Sequence, residues 1–128
     1  MPDNLWPDNI ADSNLVTPVT ILKEQAALLG EKTRQLVQGE VTSQSPSSVG
    51  GMATPFVHRF EISAPTLNYR YELFYITHGV NFYPLALNLA GKTTSISSEA
   101  ELKENLKQIF ASPRTLNAVH AILAQVRS

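Results

Sequence analysis

The sequence has no cysteine, little charge and no long apolar run, and each shortage excludes a class of protein. Without a thiol, neither a disulfide-stapled scaffold nor a zinc ribbon is possible. A bilayer-spanning helix needs about 18 or more consecutive apolar residues, and no such run is present. Charged residues make up only 16% of the chain, against roughly 25% in an average soluble domain. We therefore expect a soluble protein without membrane contact.

The few charges nearly cancel, which argues against a nucleic-acid partner. Ten basic and eleven acidic side chains give a formal net charge of -1. Nucleic-acid binding needs a clustered basic surface, which this balance does not favour. Neutral polar residues (Ser, Thr, Asn and Gln) outnumber the charged ones. We expect a protein partner, either a second copy or another chain, and no nucleic acid.

A length of 128 residues fits one domain with one core. Residues 1–14 hold two Pro-Asp-Asn turn signals around the only tryptophan, Trp6, and are predicted to form a flexible N-terminal arm. The alternative is that Trp6 and Leu5 anchor this arm on its own subunit or on a neighbour. Residues 15–128 are predicted to form a single domain. The arm lacks the pattern of a signal peptide, so a cytoplasmic location is expected.

Three segments have the capping residues and apolar spacing of helices. The first begins where Thr17 caps and Pro18 takes the first helical position, and Gly39 is its predicted end. The second begins at a capping box over residues 98–101, and the third begins at Ser112 followed by proline.

Between the helices, three segments alternate apolar and polar side chains with the period of a β-strand: residues 56–63, 69–77 and 83–89. Residues 42–55 are uncharged and rich in Ser, Gly and Pro, and predict a flexible loop after a short strand around Val41. The predicted fold class is α+β. It is an antiparallel meander of three to four strands with one N-terminal and two C-terminal helices packed on one face, in the order α-β-β-β-β-α-α.

Opposite charges predict the register of the first two long strands. If Ser63 lies opposite Asn68, Arg59 faces Glu72 and Glu61 faces Arg70 on one wet face. A tight turn at residues 78–80 would then pair Thr77 with Asn81, so that all three strands present one aromatic-rich face to the helices.

In this register His58 is the most promising polar side chain, because it points inward with Tyr71 and Tyr75. These three residues are the candidate pocket. The ordinary alternative is a core histidine that bonds to a tyrosine or to the backbone. His78 falls on the opposite face of the sheet in this register. A slipped register could put both histidines on one face but leaves them about four residues apart along the strands, roughly 13 Å. No metal and no cofactor are therefore predicted.

Motifs for known chemistry are lacking. Ala90-Gly91-Lys92-Thr93 resembles the end of a phosphate-binding loop but lacks the first glycine of that motif, and predicts a simple turn. There is no Gly-x-Ser-x-Gly elbow. No catalytic residue is assigned, and a non-catalytic role is favoured.

The segment 83–90 carries no charge and is the last strand of the predicted meander. An exposed edge is normally protected by charge or proline, and here only Pro84 is available. Pro84, Ala86 and Asn88, together with Trp6, are the candidate interface. The predicted function is a small protein-interaction module of the adaptor, inhibitor or immunity-protein type that acts through this edge. The alternative is a small-ligand binder or weakly marked enzyme with a pocket between sheet and helices near His58.

Overall fold

In the computed structural model the chain has an α+β fold, with one open antiparallel sheet and all its α-helices on one face. The structure describes residues 3–128 except 12, 14, 47, 50, 51 and 54; of residues 48, 49, 52 and 53 it describes the backbone only. The helices of this described part are α1 (Pro18–Lys32), α2 (Glu99–Ala111) and α3 (Pro113–Val126). The strands are β1 (Gln38–Gln44), β2 (Ser48–Val49), β3 (Met52–Ala53), β4 (Phe56–Ala64), β5 (Tyr69–His78), β6 (Leu85–Leu89) and β7 (Lys92–Ile96).

The main sheet has five strands in the order β1-β4-β5-β6-β7, more than the three to four predicted. The missed strand is β7, which pairs with β6 along its whole length. Ala90 and Gly91 connect the two strands, and both have positive φ, at 52° and 82°. This is the backbone of a tight hairpin turn whose twist matches that of the strands.

The segment predicted as a loop contains regular structure. Residues 42–44 continue β1 and pair with β4, so the strand around Val41 is longer than expected. Strands β2 and β3 form a small separate hairpin within the same segment. The irregular part of this segment is therefore shorter than its composition suggests.

The predicted register of β4 and β5 is wrong. His58 lies opposite Ile76, and the strands pair from Phe56 with His78 to Ala64 with Tyr69. A bulge on β5 between Glu72 and Phe74 shifts the pairing by one residue. Beyond the bulge, side chains that strict alternation assigns to one face of β5 lie on the other.

The turn after β5 is also longer than predicted. Thr77 pairs with Ala86, not with Asn81, and residues 79–84 form the connection to β6. Because β6 pairs with β5 on one side and β7 on the other, it is not an edge strand. The predicted interface edge is therefore wrong: the edges of the five-stranded sheet are β1 and β7.

The face of the sheet away from the helices carries the charges. Arg59 pairs with Glu72 at 3.2 Å (Nε to Oε1), as predicted, although the two are not directly opposite. Arg70 pairs with Glu40 of β1 at 3.2 Å (Nε to Oε2), and not with Glu61 as predicted. Each of these ion pairs is partly exposed and contributes little to stability.

The core lies between the other sheet face and the helices. Phe60 and Phe74 stack with ring centroids 5.3 Å apart, and Phe110 of α2 packs against both. Helix α1 begins at the predicted cap, where the Thr17 hydroxyl accepts a hydrogen bond from the backbone N–H of Thr20. It ends at Lys32, earlier than predicted, so that the following chain can turn into β1.

Candidate functional site: an apolar groove and a histidine pair

An apolar groove of about 470 Å³ opens between α1 and α3, with the sheet as its floor. One wall is formed by Gln25, Leu28, Leu29 and Lys32 of α1 with Thr33 after it, and the other by Thr115, Leu116, Val119, His120 and Leu123 of α3. Phe60, Ile62 and Leu73 of the sheet form the floor, and Phe110 of α2 completes the lining. Leu28 and Leu116, one on each wall, are each 43% exposed. Two large aliphatic side chains thus line the cleft and remain partly open to solvent.

The groove owes its shape to the junction of α2 and α3. Ser112 caps α3 with its hydroxyl oxygen, while the Thr115 hydroxyl donates to the Ile109 carbonyl at 2.6 Å. These bonds hold the first turn of α3 against the last turn of α2. Thr115 and Leu116 of this first turn line the groove, so the junction positions the start of its α3 wall.

The lining of this groove contains no acidic residue, and its ionisable members are Lys32 and His120. A second, more open cleft continues between α1 and α2 and shares Gln25, Lys32 and Phe110 with the groove. That cleft adds Lys103 and Lys107, with Glu24 as its one acidic member. The rim of the two clefts is therefore basic, in a chain whose overall charge is slightly negative.

The three predicted pocket residues do not come together. His58 is buried on the helix-facing side of β4. Tyr71 lies on the same side, half-buried, with the guanidinium carbon of Arg114 5.9 Å from its ring centroid. Tyr75 lies on the opposite face, because it follows the bulge, and the guanidinium carbon of Arg59 is 5.8 Å from its ring centroid. None of the three lines the α1–α3 groove.

The structure instead joins His58 to His78, which sequence reasoning had separated. Their Nε2 atoms are 3.1 Å apart, and both residues are buried. The Ser43 hydroxyl of β1 lies 2.8 Å from Nδ1 of His58, and the Gly79 carbonyl oxygen lies 2.7 Å from Nδ1 of His78. One chain of hydrogen bonds therefore connects β1, β4 and the end of β5.

When both rings are neutral, the carbonyl at one end determines where each proton of this chain lies. The Gly79 oxygen can only accept, so Nδ1 of His78 carries a proton and its Nε2 accepts. His58 must then donate from Nε2, which leaves its Nδ1 free to accept from the Ser43 hydroxyl. In this arrangement of two neutral rings, the Ser43 hydroxyl donates to a ring nitrogen of His58.

The surroundings of His58 oppose a positive charge on its ring. Burial lowers its pKa, and His78 and the Lys23 ammonium lower it further. Phe56 stacks on His78 at 5.2 Å and Phe82 meets the same ring edge-on at 5.8 Å, so the pair lies among aromatic rings. Among the residues that the structure describes, no three His, Asp or Glu side chains are grouped to hold a metal ion.

The predicted interface residues are distributed over separate surfaces. Trp6 is exposed in the arm, and Pro84 is exposed in the connection before β6. Ala86 and Asn88 lie on the outer sheet face and are half-buried between neighbouring strands. The edge that would have grouped the last three residues does not exist.

Comparison of the chain with protein-family models, with curated proteins and with solved structures finds no match in any of the three. In the described part of the chain, each helix is too short or too polar to cross a bilayer.

Proposed function

We propose that this chain is a protein-interaction module that binds an apolar segment of a partner in the groove between α1 and α3. The observation that carries the proposal is the pair of exposed leucines, Leu28 and Leu116, on the two walls of an apolar cleft. Exposed apolar surface in a cleft is typical of a site that another molecule covers. The non-catalytic role predicted from the sequence is retained, and the interaction surface moves from the sheet edge to this groove.

The charge around the groove indicates the chemistry of the partner segment. Lys32 and His120 line the groove, and Lys103 and Lys107 line the adjoining cleft. A short segment with aliphatic or aromatic anchors and acidic flanking residues would satisfy both features. Binding of an amphipathic segment in a groove between helices is a common recognition mode. The cytoplasmic location expected from the sequence stays a prediction.

Substitution of the two wall leucines tests the groove. A photo-crosslinking amino acid at position 28 is used to capture bound segments, and each captured segment is then synthesised as a peptide. We expect Leu28→Glu and Leu116→Glu each to weaken peptide binding at least tenfold, because a carboxylate would be placed in the apolar contact and beside an acidic ligand. The measurement is a fluorescence-anisotropy titration.

Leu67→Glu is the matched control for this experiment. Leu67 lies in the turn between β4 and β5, outside the groove, and at 41% is as exposed as the wall leucines. Its substitution should leave binding unchanged. Equal loss in all three variants, or capture of segments without apolar anchors, would contradict the proposal. A small molecule retained by the wild-type chain in native mass spectrometry, and lost in Leu28→Glu, would favour the small-ligand alternative.

The second candidate function is a weakly marked enzyme near His58, and the Ser43–His58 hydrogen bond favours it. Ser43 is exposed on the edge strand β1, so a reagent can reach its hydroxyl. A serine that donates to a neutral imidazole, which in turn donates to a second oriented group, has the connectivity of an activated nucleophile. His78 would orient the imidazole of His58, which is the role that a carboxylate has in a Ser-His-Asp triad.

A fluorophosphonate probe tests this candidate. The Ser43 oxygen would bond to phosphorus, its proton would pass to Nδ1 of His58, and fluoride would leave. We expect labelling of Ser43 to exceed that of Ser95, an exposed serine on β7, by at least tenfold in peptide mass spectrometry. His58→Gln should remove the difference. Equal labelling of Ser43 and Ser95 in the wild-type chain would exclude an activated serine.

A further inference from the structure

The N-terminal arm presents large apolar side chains to solvent. Leu5 is 90% exposed, Trp6 70% and Ile10 59%. Local turns shape this segment: the Asn4 side chain accepts from the Trp6 N–H, and the Pro7 carbonyl accepts from the Ile10 N–H. Three large hydrophobic side chains within six residues are more than a solvated tail needs, and tryptophan is the residue most enriched at interface hot spots.

The arm and the groove are complementary in charge as well as in polarity. Residues 1–16 contain three aspartates and no lysine or arginine, and the first basic residue of the sequence is Lys23. The groove lining contains no acidic residue and includes Lys32 and His120. The adjoining cleft contributes two more lysines. The arm therefore has the composition that the groove favours: apolar anchors with acidic neighbours.

We propose that the arm of a second copy of this chain occupies the groove, with Trp6 as the central anchor, and that two copies exchange arms. This inference rests on the proposed function, since it identifies the partner of the same groove. In the isolated chain the arm and the groove are both exposed, so the arm does not cover the groove of its own chain. The arm also joins α1 at Pro18, whereas the groove lies along the C-terminal half of that helix, from Gln25 to Lys32.

If two copies exchange arms reciprocally, they form a closed dimer. If the arm of each copy enters the groove of the other, both contacts are the same by two-fold symmetry and no free groove remains to extend a chain of subunits. In the groove, the indole ring of Trp6 would lie between Leu28 and Leu116. Its N–H would donate to the side-chain oxygen of Gln25, since a buried indole needs an acceptor. Asp8 would face Lys32 at the rim.

Complementation between two full-length variants tests the exchange. Trp6→Ala keeps the groove and loses the anchor, while Leu116→Glu keeps the arm and closes the groove. Each variant alone should dimerise at least tenfold more weakly than the wild-type chain in sedimentation velocity. An equimolar mixture should recover association, because one intact arm still meets one intact groove. Leu67→Glu is again the control and should dimerise like the wild-type chain.

The fluorescence of Trp6 provides an independent readout, since it is the only tryptophan. Its emission should move to shorter wavelength as protein concentration rises, and should not move in Leu116→Glu. A wild-type chain that is monomeric at every concentration, with emission unchanged, would overturn the proposal. A blue-shifted emission independent of concentration would also overturn it, because the arm would then fill its own groove. A dimer that persists in Leu116→Glu would place the contact elsewhere. None of these outcomes affects the crosslinking test of the groove.

Discussion

Gly39→Ala is expected to destabilise the fold by about 3 kcal/mol, near the upper end for the insertion of one methyl group into a packed contact. Strand β1 passes so close to α1 at this point that a Cβ on Gly39 would lie 2.5 Å from the Cα of Ala26 and 2.7 Å from its Cβ. The Cα of Ala26 belongs to the helix backbone and its Cβ is bonded directly to that backbone, so neither atom can rotate aside. Either α1 or β1 must move, and α1 forms one wall of the groove.

Urea unfolding at neutral pH measures this effect. A loss of about 3 kcal/mol is a large part of the 5–15 kcal/mol that holds a typical domain folded, so the midpoint should fall clearly. Gly79→Ala is the control, because a Cβ there meets no atom within 4 Å, and it should change stability by less than about 0.5 kcal/mol. A Gly39→Ala protein as stable as the wild type would show that the two elements are not packed as described.

Gly39 also shows how far the sequence could predict the fold. Its position after an apolar-periodic segment was interpreted as the end of the first helix, whereas it serves as the contact point between a strand and that helix. The beginnings of all three helices were predicted correctly, since caps such as Ser98 act within one turn of their own position. The end of a helix depends on where the next element of the fold lies, and the local sequence does not determine that position.

The strand register could not be obtained from charge pairing. Arg59 and Glu72 do pair, but Arg70 reaches past β4 to Glu40 on β1. The bulge on β5 has no local signal, and it displaces Tyr75 from the inner face. One extra residue in a strand reverses every later side chain, so the predicted pocket was divided between the two faces.

The groove could not be predicted from the sequence for a related reason. The apolar spacing of the last helix places Leu116 on its inner face, but this residue is 43% exposed, because α1 and α3 do not close over the sheet. Whether two helices touch or leave a gap depends on three elements at once. The amphipathic pattern of each helix is the same in both cases.

From the histidine pair we predict that the free energy of unfolding falls as pH decreases through the ordinary pKa of histidine. Burial, then His78, then Lys23 hold the pKa of His58 below 6.5 in the folded chain. Between that lowered value and 6.5 the unfolded chain binds more protons, so the free energy of unfolding decreases as pH falls through about 6.5. It stops decreasing, as far as His58 is concerned, once pH is below the folded-state pKa.

His58→Gln should remove this part of the pH dependence and keep the fold. The glutamine oxygen can accept from Ser43 while its amide N–H₂ donates to Nε2 of His78, as the neutral imidazole does. His58→Ala should cost about 1–3 kcal/mol even at pH 8, because it leaves buried polar groups without partners. His120→Gln, at an exposed position on α3, should retain the wild-type pH dependence. Urea midpoints from pH 8 to pH 5 measure all four chains, and a wild-type curve that matches His58→Gln throughout would contradict the neutral, buried pair.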